Sequence, residues 1–207
     1  MRSHTNAATA HEVSSSVAKT GVESSQRSRS SIESTSSDDA RRIIAHVEVK
    51  LSGDLDLMAY AGQALELDGD AAGAQRVYRA AVRAHPRNPE MLMRLGRLLL
   101  RDKKHKRAAV VLEKALALEA KNIDVLKLLV VVHREMEERE REEDYAARVV
   151  ALVSNDAAAH LDLASVIRRG GRREEALEHA KRAAALDPCN ERYARYVEEL
   201  SKARRAR

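Results

Sequence analysis

Beyond Asp38 the chain alternates short apolar runs with charged ones at helical spacing, and the pattern returns after a fixed number of residues. Pro86 and Pro188 lie 102 residues apart, three times 34, and a 34-residue frame gives four units, 55–88, 89–122, 123–156 and 157–190. The last position of these units reads Asn88, Asn122, Asp156 and Asn190, and Asp54 stands one period before the first. All five are residues whose side-chain oxygen accepts a hydrogen bond from an orphan N–H in the first turn of a following helix. Pro89 sits at the favoured first helical position. Gly62, Gly96, Val130 and Ala164 occupy the eighth position, Ala74, Ala108, Glu142 and Ala176 the twentieth, and Ala81, Ala115, Val149 and Ala183 the twenty-seventh. Small residues there let two helices approach closely. Asp68-Gly69-Asp70 and Gly170-Gly171 predict turns between the paired helices, and Asp102-Lys103-Lys104 is a weaker turn signal.

The third unit departs from its neighbours. Val130 replaces the small residue, Glu142 replaces an alanine, and no Gly or Asn interrupts 134–144. Burying an unpaired carboxylate costs several kcal/mol, so the expectation is that the first helix runs on, or the second starts late near Asp144, with Glu142 facing water. At the flanks, Ala40, Ile44 and Val47 fall one period before positions of the second helix, which predicts a half-repeat helix within 38–53. The alternation over 46–51 also reads as a strand, but a strand there has no partner. Tyr193, Tyr196, Val197 and Leu200 recur at i, i+3, i+4 and i+7 and predict an amphipathic capping helix within 191–207, ending in a basic tip of Lys202, Arg204, Arg205 and Arg207.

Composition sharpens this picture. With no Phe, no Trp and 5 Tyr among 207 residues, the core is built from Ala, Leu, Val and Ile, which suits thin helix pairs. Residues 1–37 are rich in Ser and Thr and carry too few apolar side chains to offset the entropy of ordering, so they are expected to form a disordered tail. That tail is read as a solvating segment, with regulatory phosphorylation as an alternative; Glu12, Glu23 and Glu33 argue against a transit peptide. No run is long and apolar enough for a membrane helix and no secretory h-region opens the chain, so a soluble, cytoplasmic protein is expected. The single cysteine, Cys189, excludes an intrachain disulfide and reads as a turn residue. A net charge of +5 permits an acidic partner without requiring one.

The spacing and small-residue positions resemble the tetratricopeptide repeat family over 55–190, about two thirds of the chain. The first and fourth units carry Gly62, Ala74, Ala81, Pro86 and Ala164, Ala176, Ala183, Pro188, while the second has Ala120 in place of the proline. The resemblance implies an all-α fold, an α-solenoid of four helix hairpins in a right-handed superhelix, with the half-repeat before it and the capping helix after. It also implies that the first helices of the hairpins line a concave groove that binds an extended or helical segment of another protein, through positions two, five, nine, twelve and thirteen. Of the residues at those positions, the candidate groove contacts are Gln63, Met93, Arg97, Leu100, Arg101, Lys127, Val131, Arg134, Arg168 and Arg169. The six cations among them suggest a strip for an acidic or carboxylate-bearing segment, with Met93, Leu100 and Val131 giving apolar contact. Ordinary solvating charge is the alternative reading. The Lys and Asn clamp of chaperone-binding relatives is not reproduced, since Ala59 with Gln63 and Met93 with Arg97 stand in its place.

Catalytic chemistry finds no support in the motifs. The histidines are scattered over different repeat positions, no phosphate loop or GxSxG is present, and the carboxylates fall on predicted exposed faces. No enzyme, metal or cofactor is expected. Nucleic acid is a poorer partner than protein, because the basic tip lacks the aromatic surfaces on which bases stack. The reading is an adaptor or scaffold for protein partners, with a cytoplasmic chaperone as runner-up. Self-association is expected, if anywhere, on the face of Tyr193, Tyr196, Val197 and Leu200.

Overall fold

The computed structural model describes residues 54–202, and among these the secondary structure is helical with no strand. The expected tail over 1–37, the half-repeat within 38–53 and Arg204, Arg205 and Arg207 of the basic tip lie outside the described residues. Four helix pairs follow one another: α1 (Leu55–Leu67) and α2 (Ala71–Ala84), α3 (Pro89–Arg101) and α4 (His105–Leu118), α5 (Ile123–Glu135) and α6 (Arg139–Leu152), α7 (Ala157–Arg169) and α8 (Arg173–Leu186). A last helix, α9 (Glu191–Lys202), closes the series. Each helix of a pair begins and ends 34 residues after its counterpart in the pair before, so the frame read from the sequence holds in all four units.

Both ends of the odd-numbered helices have a local cause. The side chains of Asp54, Asn88 and Asn122 accept from the N–H of Leu57 (3.1 Å), Met91 (2.9 Å) and Val125 (3.1 Å), and Asp156 accepts from Ala158 and Ala159 (2.9 and 3.2 Å). Asn190 does the same for Arg192 at the head of α9, at 3.2 Å. At the other end, Gly69, Lys103, Glu137 and Gly171 all have φ between 58° and 85° and stand 34 residues apart. In the last three of these turns, the following residue donates to the carbonyl five residues back, Lys104 to Leu99 (2.8 Å), Glu138 to His133 (3.0 Å) and Arg172 to Ile167 (3.3 Å). This is the Schellman closure, which needs one left-handed residue.

The third unit therefore corrects the expectation drawn from its sequence. α5 ends at Glu135 and α6 starts at Arg139, in frame, because Glu137 adopts the left-handed conformation without being Gly or Asn. Glu142 does not face water; it is 1% exposed. What makes its burial tolerable is described with the site below.

The chain falls into two units, Met1–Val77 and Tyr78–Arg207, with the boundary inside α2. Within the second, α3 packs on α4, α5 on α6 and α7 on α8, while α4 also packs on α5, α6 on α7 and α9 on α8. The closeness of a pair is set by its facing volumes. A Cβ built on Gly96 of α3 meets Leu112 of α4 at 2.5 Å, so leucine fills the space the missing side chain leaves. One period on, the same two positions hold Val130 and Ala146, and one further on Ala164 and Ala180, all four buried in one cluster. Large and small exchange places across the contact and the packing stays dense.

Gly96→Val is expected to lower stability by about 1–3 kcal/mol, the usual cost of overpacking, despite valine's better backbone propensity. Adding Leu112→Ala, which recreates the Val130–Ala146 arrangement, is expected to recover part of the loss. Urea unfolding followed by circular dichroism measures both.

Candidate functional site

In the second unit α5, α7 and α9 present two adjoining depressions. The larger, of about 430 Å3, is walled by Arg134 from α5, by Leu161, Asp162 and Ser165 from α7, and by Arg192, Arg195, Tyr196 and Glu199 from α9. The smaller, of about 140 Å3, is a mostly apolar socket of Val130, Val131, Ala146, Val149, Ala158 and Ala159, with Lys127 at its edge. Arg134 and Asp162 line both, so the two form one groove. The aliphatic lining follows from the repeat: successive turns of α5 and α7 must offer small side chains where α6 approaches.

The charges of the groove are largely committed within the molecule. One carboxylate oxygen of Glu142 on α6 accepts from Nε of Arg134 at 2.8 Å and from Nη2 of Arg169 at 2.6 Å. Two guanidinium groups thus converge on a buried carboxylate and tie α5, α6 and α7 together. Lys127 reaches Asp156 at the head of α7 at 3.1 Å. Arg168 bonds Glu199 at 2.8 Å and lies over the Tyr196 ring, 5.3 Å from its centroid. Arg192 makes no ion pair among the described residues. Asp162, although exposed at the groove surface, loses enough water to the cleft walls that its carboxyl is pushed above the ordinary range, against the pull of Arg134, Arg192 and Lys127. For Asp156 burial also pushes upward, but the Ala159 N–H, the Lys127 ammonium and the Ala158 N–H outweigh it and hold the carboxyl low.

Of the residues the sequence pointed to, Lys127, Val131 and Arg134 line the groove. Arg168 and Arg169 lie on α7 but are engaged with Glu199 and Glu142. Met93, Arg97, Leu100 and Arg101 share α3 and line neither depression; Arg97 has a partner of its own, while Arg101 makes no ion pair among the described residues. Gln63 is exposed on α1 in the first unit. The expected self-association face is corrected: Tyr193 and Leu200 are buried, and Tyr196 and Val197 pack against the core formed with α7 and α8. Tyr193 and Leu200 close the end of the stack, while Tyr196 and Val197 stay partly exposed.

Asp162, Arg192, Arg195 and Glu199 were missed. The last three occupy positions two, five and nine of a fifth unit beginning at Glu191, so carrying the frame one period past Asn190 finds them. Asp162 falls on an exposed face, as expected of the carboxylates, yet its pKa is raised. Folding also joins two of the scattered histidines. His160 Nε2 lies 3.0 Å from the Ser154 carbonyl, which only accepts, so this nitrogen carries the proton and His160 Nδ1 is an acceptor. His179 Nδ1, 3.1 Å away, donates to it. Burial and the neighbouring His160 push the His179 imidazole below its ordinary pKa, with Glu175 acting weakly the other way.

Residues 61–123 match the model of the Tetratricopeptide repeat family. The same frame runs on through α8, and the described residues form an all-α assembly of helix hairpins of the tetratricopeptide type. The structure of MamA from Desulfovibrio magneticus RS-1 superposes with a TM-score of 0.68 at 22% identity, over 73% of this chain and 86% of that one. YrrB, described as a TPR protein with an unusual peptide-binding site, gives 0.66 at 18% identity over 79% and 86%. pilF of Pseudomonas aeruginosa gives 0.65 at 19% identity over 89% and 81%. These likenesses are of fold. No curated protein matches the chain in sequence, and among the described residues no helix is long and apolar enough to cross a membrane.

Removing the two cations from Glu142, by Arg134→Ala with Arg169→Ala, strands a buried carboxylate and is expected to cost about 3–5 kcal/mol. Glu142→Ala restores the residue found at this position in the other units and leaves two guanidinium groups free to turn to water, so its expected cost is much smaller. Urea unfolding of the two variants and of the triple combination reads the asymmetry. The His179 effect has a definite sign. Unfolded histidine titrates near about 6.5 and the folded side chain lower, so its contribution is complete above that pH and is lost as pH falls from there toward the folded pKa. His179→Gln is expected to flatten the fall in melting temperature over that window.

Proposed function

We propose that this chain is a non-catalytic adaptor or scaffold that holds an extended segment of a partner protein in the α5, α7 and α9 groove. The continuity of the apolar socket with the charged cleft, through Arg134 and Asp162, carries this reading. A socket of about 140 Å3 fits one small aliphatic side chain. Beside it Asp162 accepts from a backbone N–H of the bound segment. Arg192 offers two parallel N–H donors to a carboxylate, as a side chain or a chain terminus, and Arg195 adds to the field. An acidic segment is favoured because Arg192 makes no ion pair among the described residues, whereas Arg134 is taken by Glu142 and Arg195 by Glu191. The kinship of fold with YrrB, whose description names a peptide-binding site, lends support.

Selection of a random peptide library against the full chain is expected to enrich segments pairing an acidic residue with a neighbouring small aliphatic one. Arg192→Glu and Val131→Asp are each expected to weaken the selected peptide at least about tenfold, near 1.4 kcal/mol, and Lys114→Ala on α4 to leave it unchanged. Selection without acidic enrichment, or affinity indifferent to Arg192→Glu, would overturn the proposal.

A further inference from the structure

The first helix of the stack carries an apolar stripe that its counterparts do not. At position three of an A helix, the first of each pair, Val125 on α5 and Ala159 on α7 are 0% and 4% exposed, and each of these helices has the preceding B helix, the second of the pair before, packed on it. At the same position of α1, Leu57 is 37% exposed. Position ten repeats the contrast: Val132 and Val166 are buried, and Ala64 is only half-buried. Tyr60 and Leu67 add 72% and 85% exposure, the latter where α3, α5 and α7 carry Arg101, Glu135 and Arg169. Leu57, Tyr60, Ala64 and Leu67 follow at i, i+3, i+7 and i+10, which is one face of a helix. Such a face is the mark of a missing helical neighbour.

The chain itself supplies a candidate of the right length and register. Every observed connection from a B helix to the next A helix is four residues, 85–88, 119–122, 153–156 and 187–190. Moving the bounds of α2 back by one period gives 37–50, and leaves 51–54 as a connection of the same length ending on the Asp54 cap. Over 37–50, Ala40, Ile44 and Val47 recur at i, i+4 and i+7. We propose that the segment within 38–53, outside the described residues, docks as a B helix on the Leu57 and Ala64 side of this face of α1, the positions that the preceding B helix covers on α5 and α7. It covers the stripe that a second copy of the chain would otherwise use, leaving partner binding to the groove. This assignment is independent of what the groove binds.

Hydrogen exchange on the full chain tests it. Amides of 40–50 are expected to be protected at least tenfold over an unstructured peptide. That protection is expected to be lost in Leu57→Asp with Ala64→Asp, and equally in Ile44→Asp, while the amides of α4 to α7 keep theirs as the folding control. Sedimentation is expected to show a monomer for the wild type. Absent protection over 40–50, protection that survives the α1 substitutions, or a wild-type dimer that Leu57→Asp with Ala64→Asp dissociates would overturn the proposal, the last by assigning the stripe to a second copy.

Discussion

Everything in the second unit rests on how closely an A helix can approach its B helix. The chain has no Phe or Trp with which to fill a wide gap, so the helices must come near enough for Ala, Leu and Val to close it. Gly96 against Leu112 and Val130 with Ala146 are two solutions to one volume condition. Because neither partner alone is constrained, a residue as large as valine is accepted where the repeat ordinarily has a small one. The condition acts on the pair, and it is what lets the 34-residue frame persist through a unit whose sequence has drifted.

Close helices bring charges together as well as methyl groups. The ties between repeats join residues 27 to 29 positions apart, short of the full period: Lys127 to Asp156, Arg141 to Glu113, Arg169 to Glu142 and Arg172 to Glu143. At the end of the stack Arg173 donates to the carbonyls of Leu200 and Glu199, both at 2.8 Å, and so caps the C-terminal turn of α9 while holding it on α8. Most of these pairs are partly exposed and individually worth little. The Glu142 cluster differs because its carboxylate has no water to return to. Its two arginines are a condition of folding for the third and fourth units, and their positions at the groove edge follow from that duty.

This division of labour shapes what the groove can do. Cations spent on Glu142, Asp156 and Glu199 define the walls without offering a free charge, whereas Arg192 has no such internal partner. Recognition is therefore concentrated at the junction of α7 and α9, with the aliphatic socket beside it. The capping helix thus has two faces with separate tasks: Tyr193 and Leu200 close the core, and Arg192, Arg195 and Glu199 complete the cleft.

Helix existence, caps and repeat boundaries were determined by the sequence alone, because they depend on residues within one turn of each other: Asn88 with Met91, Asn122 with Val125, Asp156 with Ala159. The turn at Glu137 was not legible, since a left-handed glutamate carries no signal by itself; only its 34-residue kinship with Gly69 and Gly171 betrays it. Nor was the fate of Glu142, whose partners lie 8 and 27 residues away on two other helices. Which cations remain available to a ligand, and which are consumed by the fold, is a property of distances between units. A repeat pattern lists the charges on a face, but only the packed helices decide how they pair.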